Sequence, residues 1–372
     1  MGSVYSFSLY RVALEVRYDI NRVVSGLPYM ASLFFYALSM RVSGRTLNPS
    51  NFKRFVMRGG ALFVFAWVMA ALSSSIWVFT LSYGVLMGWA VGMLYGAALS
   101  FTQWYAKSRH GLLSGVMLLG FGLSSVVLAP VAQHILAQRS LTVLFFIYGG
   151  AALAVFVPLM MGLPRPQETT MIQTQSAVPA VLLKLVIFFL ATMVGLTIIG
   201  ITGTMGIELY GFEPPQVALM ISLFALFNAL SRPVFGAVMD RWGFKVSAQV
   251  SIGLMVLATV FNSINLGNHL FLFIVGYGLY WFNLGAWLSI MPTYIKQSLG
   301  KDQYTQAYGK VFLGYGLAAM AGTFMSSVLL EWFSQALFVY LFMGVVIALL
   351  AAFVRMEIKG VHPGPNRSKA NR

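Results

Sequence analysis

Apolar runs of about 20 residues recur along this chain, each separated from the next by a short polar gap. They lie near residues 22–40, 56–74, 76–101, 112–136, 141–162, 181–207, 214–238, 246–264, 268–292, 308–330 and 334–354. A helix of that length crosses a hydrocarbon core of roughly 30 Å. The runs are too long and too continuous for barrel strands, which leaves a helical bundle as the spanning structure. Only 9% of the residues are charged and 59% are hydrophobic, against about 25% charged in soluble domains. The fold class is therefore all-α integral membrane. The 36 glycines suit closely packed membrane helices, and the lack of cysteine excludes disulfides, thiol catalysis and cysteine-bound metals.

The net charge of +15 is distributed as the positive-inside rule requires, which argues against a nucleic-acid partner. Nineteen basic residues fall in one alternate set of gaps, from Arg41, Arg45, Lys53, Arg54 and Arg58 to Arg355, Lys359, Arg367, Lys369 and Arg372. The other set holds only Arg11, Arg17, Arg22 and Arg139. The first set is expected in the cytoplasm, with the C-terminus inside and the chain multi-pass in the cell's inner (plasma) membrane. Eleven runs then place the N-terminus outside. Before them stands GSVYSFSLYRVAL, apolar but only about a dozen residues long and too short to span.

A duplication accounts for that stub. FGAVMDRWGFK carries Gly236, Asp240, Arg241, Gly243, Phe244 and Lys245. At an offset of 192, SGRTLNPSNFK carries Gly44, Asn48, Pro49, Asn51, Phe52 and Lys53. Both strings sit in a polar gap between long apolar runs, as a charged loop does in a parallel-repeat membrane carrier. If each copy has six spans, the stub is a truncated first span. The expected organisation is an N-terminal bundle over 1–162, a proline-flanked polar linker over 163–180, a C-terminal bundle over 181–354 and a basic tail over 355–372.

The ionisable residues narrow the chemistry. All nine acids lie at span ends or in gaps, which disfavours cation export and coupling through a carboxylate at mid-membrane depth. Arg232, by contrast, lies eight residues before Asp240, about 12 Å of helix rise into the apolar zone. A buried arginine there costs roughly 2.5–3.5 kcal/mol and cannot shed its proton. It is either a planar fork for an anionic substrate, or a side chain reaching for the cytoplasmic face or for carbonyls freed by Pro233. In the repeated loop, Gly236 is expected to allow close helix approach and Gly243 a tight turn, while Asp240 can latch the cytoplasmic side by pairing with basic residues. Gly44, Asn48 and Lys53 form the uncharged, weaker counterpart. Gly115, Gly120, Gly122, Ser124 and Ser125 read as a packing face.

Tyr5, Tyr95, Tyr277, Trp281, Trp287 and Tyr315 fall within apolar runs and can offer hydroxyl or indole donors, although core packing explains each of them as well. Tyr95 and Trp287 are again 192 apart. His110, His134, His269 and His362 show no ligand spacing, so no metal or cofactor is expected. No nucleophile–base pair points to an enzyme.

Several strings resemble one family. TQWYAKSRHGLLSGVMLLGFGLSS, FALFNALSRPVFGAVMDRWGFK and MPTYIKQSLG with AYGKVFLGYGLAAMAG are similar to the fourth-to-fifth, eighth and tenth-to-eleventh span regions of the oxalate:formate antiporter family, within the major facilitator superfamily. GSVYSFSLY looks like the middle of that family's first span. The resemblance implies two six-helix bundles that move small carboxylates by alternating access, in a fold that commonly acts as a monomer. It also implies a buried arginine on the eighth span and a lysine on the eleventh. Arg232 matches the arginine; Tyr315 stands at the lysine position. One buried cation rather than two favours formate, lactate or pyruvate over oxalate. The substrate is then a small organic anion bound by Arg232 with Tyr5, Tyr95, Tyr277, Trp281 and Tyr315, moving with a proton or against a counter-anion. A truncated non-transporting or sensory relative and an exporter of amphipathic drugs remain as alternatives.

Overall fold

In hydrocarbon no water is present to satisfy a backbone N–H or C=O, so each spanning segment must close its own hydrogen bonds. The computed structural model describes residues 2–48, 50–105, 110–162, 181–265 and 269–360, and every element among them is helical. The expected linker over 163–180 and most of the basic tail lie outside the described residues.

A helical turn, Gly2–Tyr5, leads into α1 (Phe7–Tyr18), and the turn Arg22–Ser25 leads into α2 (Leu27–Thr46). There follow α3 (Phe52–Ala71), α4 (Met87–Tyr105, entered through Ile76–Phe79 and a wide π-helical stretch, Thr80–Leu86), α5 (His110–Gln138) and α6 (Leu141–Gly162). After residue 180 come α7 (Leu182–Thr204, continued by the π-helical Met205–Leu209), α8 (Pro214–Ser263), α9 (Leu270–Val311), α10 (Leu313–Phe333) and α11 (Ala336–Gly360). Nine helical stretches among the described residues are long and apolar enough to cross a membrane. The 50-residue α8 counts once among them but contains two spans, expected over 214–238 and 246–264. They are joined by one residue, Gly243, at φ 72° and ψ −174°. Only glycine takes that backbone without strain, so the expected turn is present but the loop around it is helical. The expected spans 268–292 and 308–330 likewise lack a long loop: α9 runs on for 42 residues and meets α10 directly at Phe312.

Small residues set how closely the helices approach. Gly84, Gly88, Gly92 and Gly96 recur every fourth residue and so share one face. Against that face lies α2: a methyl group on Gly88 would sit 2.4 Å from the Ser32 carbonyl oxygen, and one on Gly92 would sit 2.5 Å from Ser39 Cβ. Ser39 Oγ donates across the seam to the Trp89 carbonyl. The residues before and after the 163–180 stretch meet through the same device. A methyl on Gly203 of α7 would fall 2.5 Å from the Ser8 carbonyl oxygen of α1. One on Gly316 of α10 would fall 2.9 Å from Phe34 Cα of α2.

One packing expectation is corrected. Beside Gly236 there is open space within 4 Å of where a Cβ would stand, so it does not mediate a close helix approach. Gly120 is equally open, while the side-chain surroundings of Gly115, Gly122 and Ser125 lie outside the described residues. The close glycine seam seen here joins α4 and α2. Gly88→Val is therefore expected to lower the thermal unfolding midpoint of the purified protein, through overpacking worth about 1–3 kcal/mol. Gly120→Ala should leave that midpoint within about 1 °C, since it removes no contact and adds none.

Candidate functional site

The site forms where α8 faces the N-terminal turn. Asn228 and Arg232 are four residues apart on α8 and therefore point the same way. Arg232 is buried, at 3% exposure. Its Nη2 donates to Asn228 Oδ1 at 3.2 Å and to the Tyr5 hydroxyl at 3.3 Å. Tyr5 in turn donates to the same Asn228 oxygen at 3.2 Å. The amide of Asn228 is fixed from its other end, with Nδ2 donating to the Trp281 carbonyl at 2.8 Å. Gly285 permits this, because any side chain there would overlap the Asn228 carbonyl and Ser231 Oγ, both 2.1 Å from its would-be Cβ. Trp281 stands edge-on to Tyr5, ring centres 5.4 Å apart, and its indole N–H donates to Thr202 at 3.3 Å.

Two more of the sequence-selected aromatics join this group. Tyr95 and Tyr315 lie within electrostatic range of Arg232 and of the Tyr5 hydroxyl. Tyr36, which the sequence reading passed over, stands between them: its ring is edge-on to Tyr95 at 5.5 Å and to Tyr315 at 6.0 Å. Tyr315 stacks on Phe312 at 5.1 Å. The structure thus gathers Tyr5, Tyr95, Trp281 and Tyr315 around Arg232, from α4, α9, α10 and the N-terminal turn. Tyr277 is not among them. It stacks on Phe273 at 4.1 Å, and its hydroxyl pairs with Tyr340 at 3.1 Å, which also meets Tyr210. Trp287 packs edge-on to Phe244, 6.5 Å away.

At the expected inner end the loop residues are solvent-facing. Asp240 is exposed and makes no ion pair among the described residues, Arg241 lies over the Trp242 ring at 5.0 Å, and Lys245 is exposed. Among the described residues no basic side chain engages the latch expected of Asp240. In the first copy, Asn48 takes part in its own turn: its Oδ1 accepts from the Asn51 N–H while Asn51 Oδ1 accepts from the Asn48 N–H. Gly44 lies in α2, inside the helix rather than in a loop, and Lys53 is half-buried at the start of α3. The charged contact at this end is elsewhere. Lys184 Nζ and the Tyr294 hydroxyl both donate to Glu357 Oε1 at 2.6 Å, and Phe244 stacks on Tyr294 at 3.9 Å. This buried cluster ties together α7, α8, α9 and α11.

The expected outer end holds a second charged cluster. Arg11, expected in a polar gap, is instead fully buried inside α1. Its Nε donates to Ser25 at 3.0 Å and lies 3.4 Å from Glu15. Arg22 pairs with Glu208 at 2.7 Å, donates to the Leu330 carbonyl at 3.2 Å, and its backbone N–H donates to Glu331 at 3.3 Å. A cleft of about 670 Å3 opens beside Arg17, Arg139, Thr142 and Pro214. None of the residues grouped around Arg232 lines it.

Comparison with known proteins agrees with this architecture. The family model described as Major Facilitator Superfamily matches residues 183–372, half of the sequence. The chain belongs to the major facilitator superfamily. It is thus a multi-pass membrane protein of a transporter family. It is 25% identical over 340 residues to the uncharacterized MFS-type transporter YhjX of Escherichia coli, covering 86% of this chain and 82% of that one. It is 23% identical over 335 residues to the oxalate:formate antiporter of Oxalobacter formigenes, covering 86% and 78%. A shorter stretch of 102 residues is 30% identical to mouse monocarboxylate transporter 12, covering 27% and 21%.

Among the residues missed from sequence, Asn228 had a usable signal, since it lies one turn from Arg232 on the same face. The Lys184–Glu357 pair spans 173 positions and left none. Removing one member strands a buried charge. Lys184→Met should cost about 3 kcal/mol of stability, read as a lowered unfolding midpoint. The double variant Lys184→Met with Glu357→Gln, which keeps an acceptor for Tyr294, should recover most of that loss.

Proposed function

We propose that this major facilitator protein is a secondary active transporter of small carboxylate anions, working by alternating access, with monocarboxylates such as formate, lactate or pyruvate favoured over oxalate. One observation carries the reading. A permanently charged guanidinium is buried at the junction of the two halves of the chain, held in a cradle of neutral hydroxyl and amide groups. Charge-assisted hydrogen bonds are about twice as strong as neutral ones. The bonds of Arg232 to Tyr5 and Asn228 already have one charged partner; a carboxylate supplies the second charge and can be held bidentately, and so improves on what it replaces. Tyr95 and Tyr315 supply further hydroxyls to its free edge, and Trp281 walls the apolar side. Tyr315, where the related antiporter family carries a lysine, leaves one cation and hence matches one negative charge.

The similarity to an oxalate:formate antiporter and to a monocarboxylate transporter supports the same substrate class. The distribution of basic residues supports placement in the inner (plasma) membrane with the C-terminus in the cytoplasm. Transport proceeds by exchange against a second anion or together with a proton.

Uptake of labelled formate, lactate, pyruvate and oxalate into proteoliposomes, with and without unlabelled anion inside, tests this. The parent should move at least one monocarboxylate, and Arg232→Gln should lower its kcat/KM on the order of 100-fold. Unchanged transport by Arg232→Gln, or movement of cationic dyes alone, would falsify the assignment. Tyr315→Lys should raise oxalate uptake relative to lactate uptake, since it restores a second cation.

A further inference from the structure

The cluster at the expected outer end contains a second buried arginine whose hydrogen bonds are shared between the halves of the chain. Arg11 Nε is held on its own side, by Ser25 and Glu15. One bond from Nη2, to the Arg22 carbonyl, also stays on that side. The remaining bonds cross to the other half: Nη1 donates to the Gly200 carbonyl of α7 at 3.3 Å, and Nη2 to Ser327 Oγ of α10 at 2.8 Å. Both crossing partners are neutral. Arg22 differs, because it crosses to the carboxylates of Glu208 and Glu331.

That difference assigns the two arginines different tasks. Arg22 joins the halves through charge: the carboxylate it pairs with, Glu208, belongs to the other half. Arg11 carries its carboxylate, Glu15, at Nε on its own side, and crosses through Nη1 and Nη2 to a carbonyl and a hydroxyl, neutral acceptors that a carboxylate would better by adding the second charge and a bidentate grip. Alternating access requires α1 to part from α7 and α10 at this end. Parting removes Ser327 and Gly200 from Arg11, while Ser25 and Glu15 continue to hold its Nε and so fix the guanidinium plane. What remains is an oriented fork facing the opened path. It stands in α1, six residues and about 9 Å of helix rise further out than Tyr5 in the N-terminal turn. Tyr5 itself touches Arg232.

We propose that Arg11 is a second anion-binding residue, sealed inside the outer gate here and offered to a small carboxylate when that gate opens, one step ahead of Arg232. The inference rests on the carboxylate reading of the Arg232 site. It adds a site at the gate, reached from one side of the membrane only. Substrate arriving from outside meets Arg11 first, whereas substrate from the cytoplasm reaches Arg232 with the outer gate shut.

Sidedness separates this role from gating alone. Initial rates of labelled lactate transport are measured in right-side-out and in inside-out vesicles, giving a KM for each face. Arg11→Gln should raise the outer-face KM about tenfold and leave the inner-face KM within about twofold; Arg11→Lys, which keeps the charge but not the fork, should fall between. Ser327→Ala removes the crossing bond and keeps the cation, so its outer-face KM should stay near that of the parent. If Ser327→Ala reproduces Arg11→Gln, or if Arg11→Gln shifts the two KM values in opposite directions, Arg11 acts only as a gate and the inference is wrong. Where Arg11→Gln fails to fold, Arg11→Lys decides: an outer-face KM equal to the parent's overturns the inference. A parent that moves no carboxylate at all overturns the substrate reading itself, which these outcomes keep distinct.

Discussion

A guanidinium inside a bundle of apolar helices is the constraint around which this structure is arranged. Arg232 cannot become neutral, and its charge in a low-dielectric interior must be met by oriented dipoles. Asn228 provides one, held in place by the Trp281 carbonyl; Tyr5 provides another, from the opposite half of the chain. Asn228 and Trp281 belong to the same half as Arg232, and Tyr5 completes the cradle from the other half. In the proposed carrier, a group placed this way responds to the meeting of the halves and offers its strongest interaction to a ligand carrying negative charge.

The same logic extends outward along the first helix. Tyr5, in the N-terminal turn, and Arg11, in α1, lie six residues apart, and both reach across to the second half, to Asn228 and Arg232 in one case and to Ser327 and Gly200 in the other. Close backbone approach makes this possible: Gly203 lets α7 lie against the Ser8 carbonyl, and Gly200 lets it lie against the Tyr29 ring. Around this junction the buried Lys184–Glu357–Tyr294 cluster ties helices of the second half together, and the α4–α2 glycine seam does so in the first. Internally tied halves with a polar, hydrogen-bonded junction suit the rocking about a central site proposed above.

How far the sequence could be read depended on the range of the physics involved. The spanning helices and the burial of Arg232 follow from local hydropathy and charge, and they were legible. So was the turn at Gly243, whose positive φ is a property of one residue. Gly236 misled, because the same residue type serves close approach in some places and stands in open space in others, and only the neighbour decides. Arg11 misled for a related reason. Its sequence neighbours, Glu15 and Arg17, look like a polar edge, but the partners that bury it are Ser25, Gly200 and Ser327. Tyr277 and Trp281 are one turn apart, yet Tyr340 draws the first away while Tyr5 meets the second. No spacing rule distinguishes them.

The central claim is that recognition at Arg232 depends on the ligand's negative charge rather than on its shape. Lactate and lactamide differ in little else. Thermal unfolding of the purified protein, followed across a concentration series of each, compares them directly, since a ligand that binds only the native state raises the midpoint by mass action. The account predicts a concentration-dependent rise with lactate and none with lactamide. Equal stabilisation by both, or stabilisation by the amide alone, would contradict it.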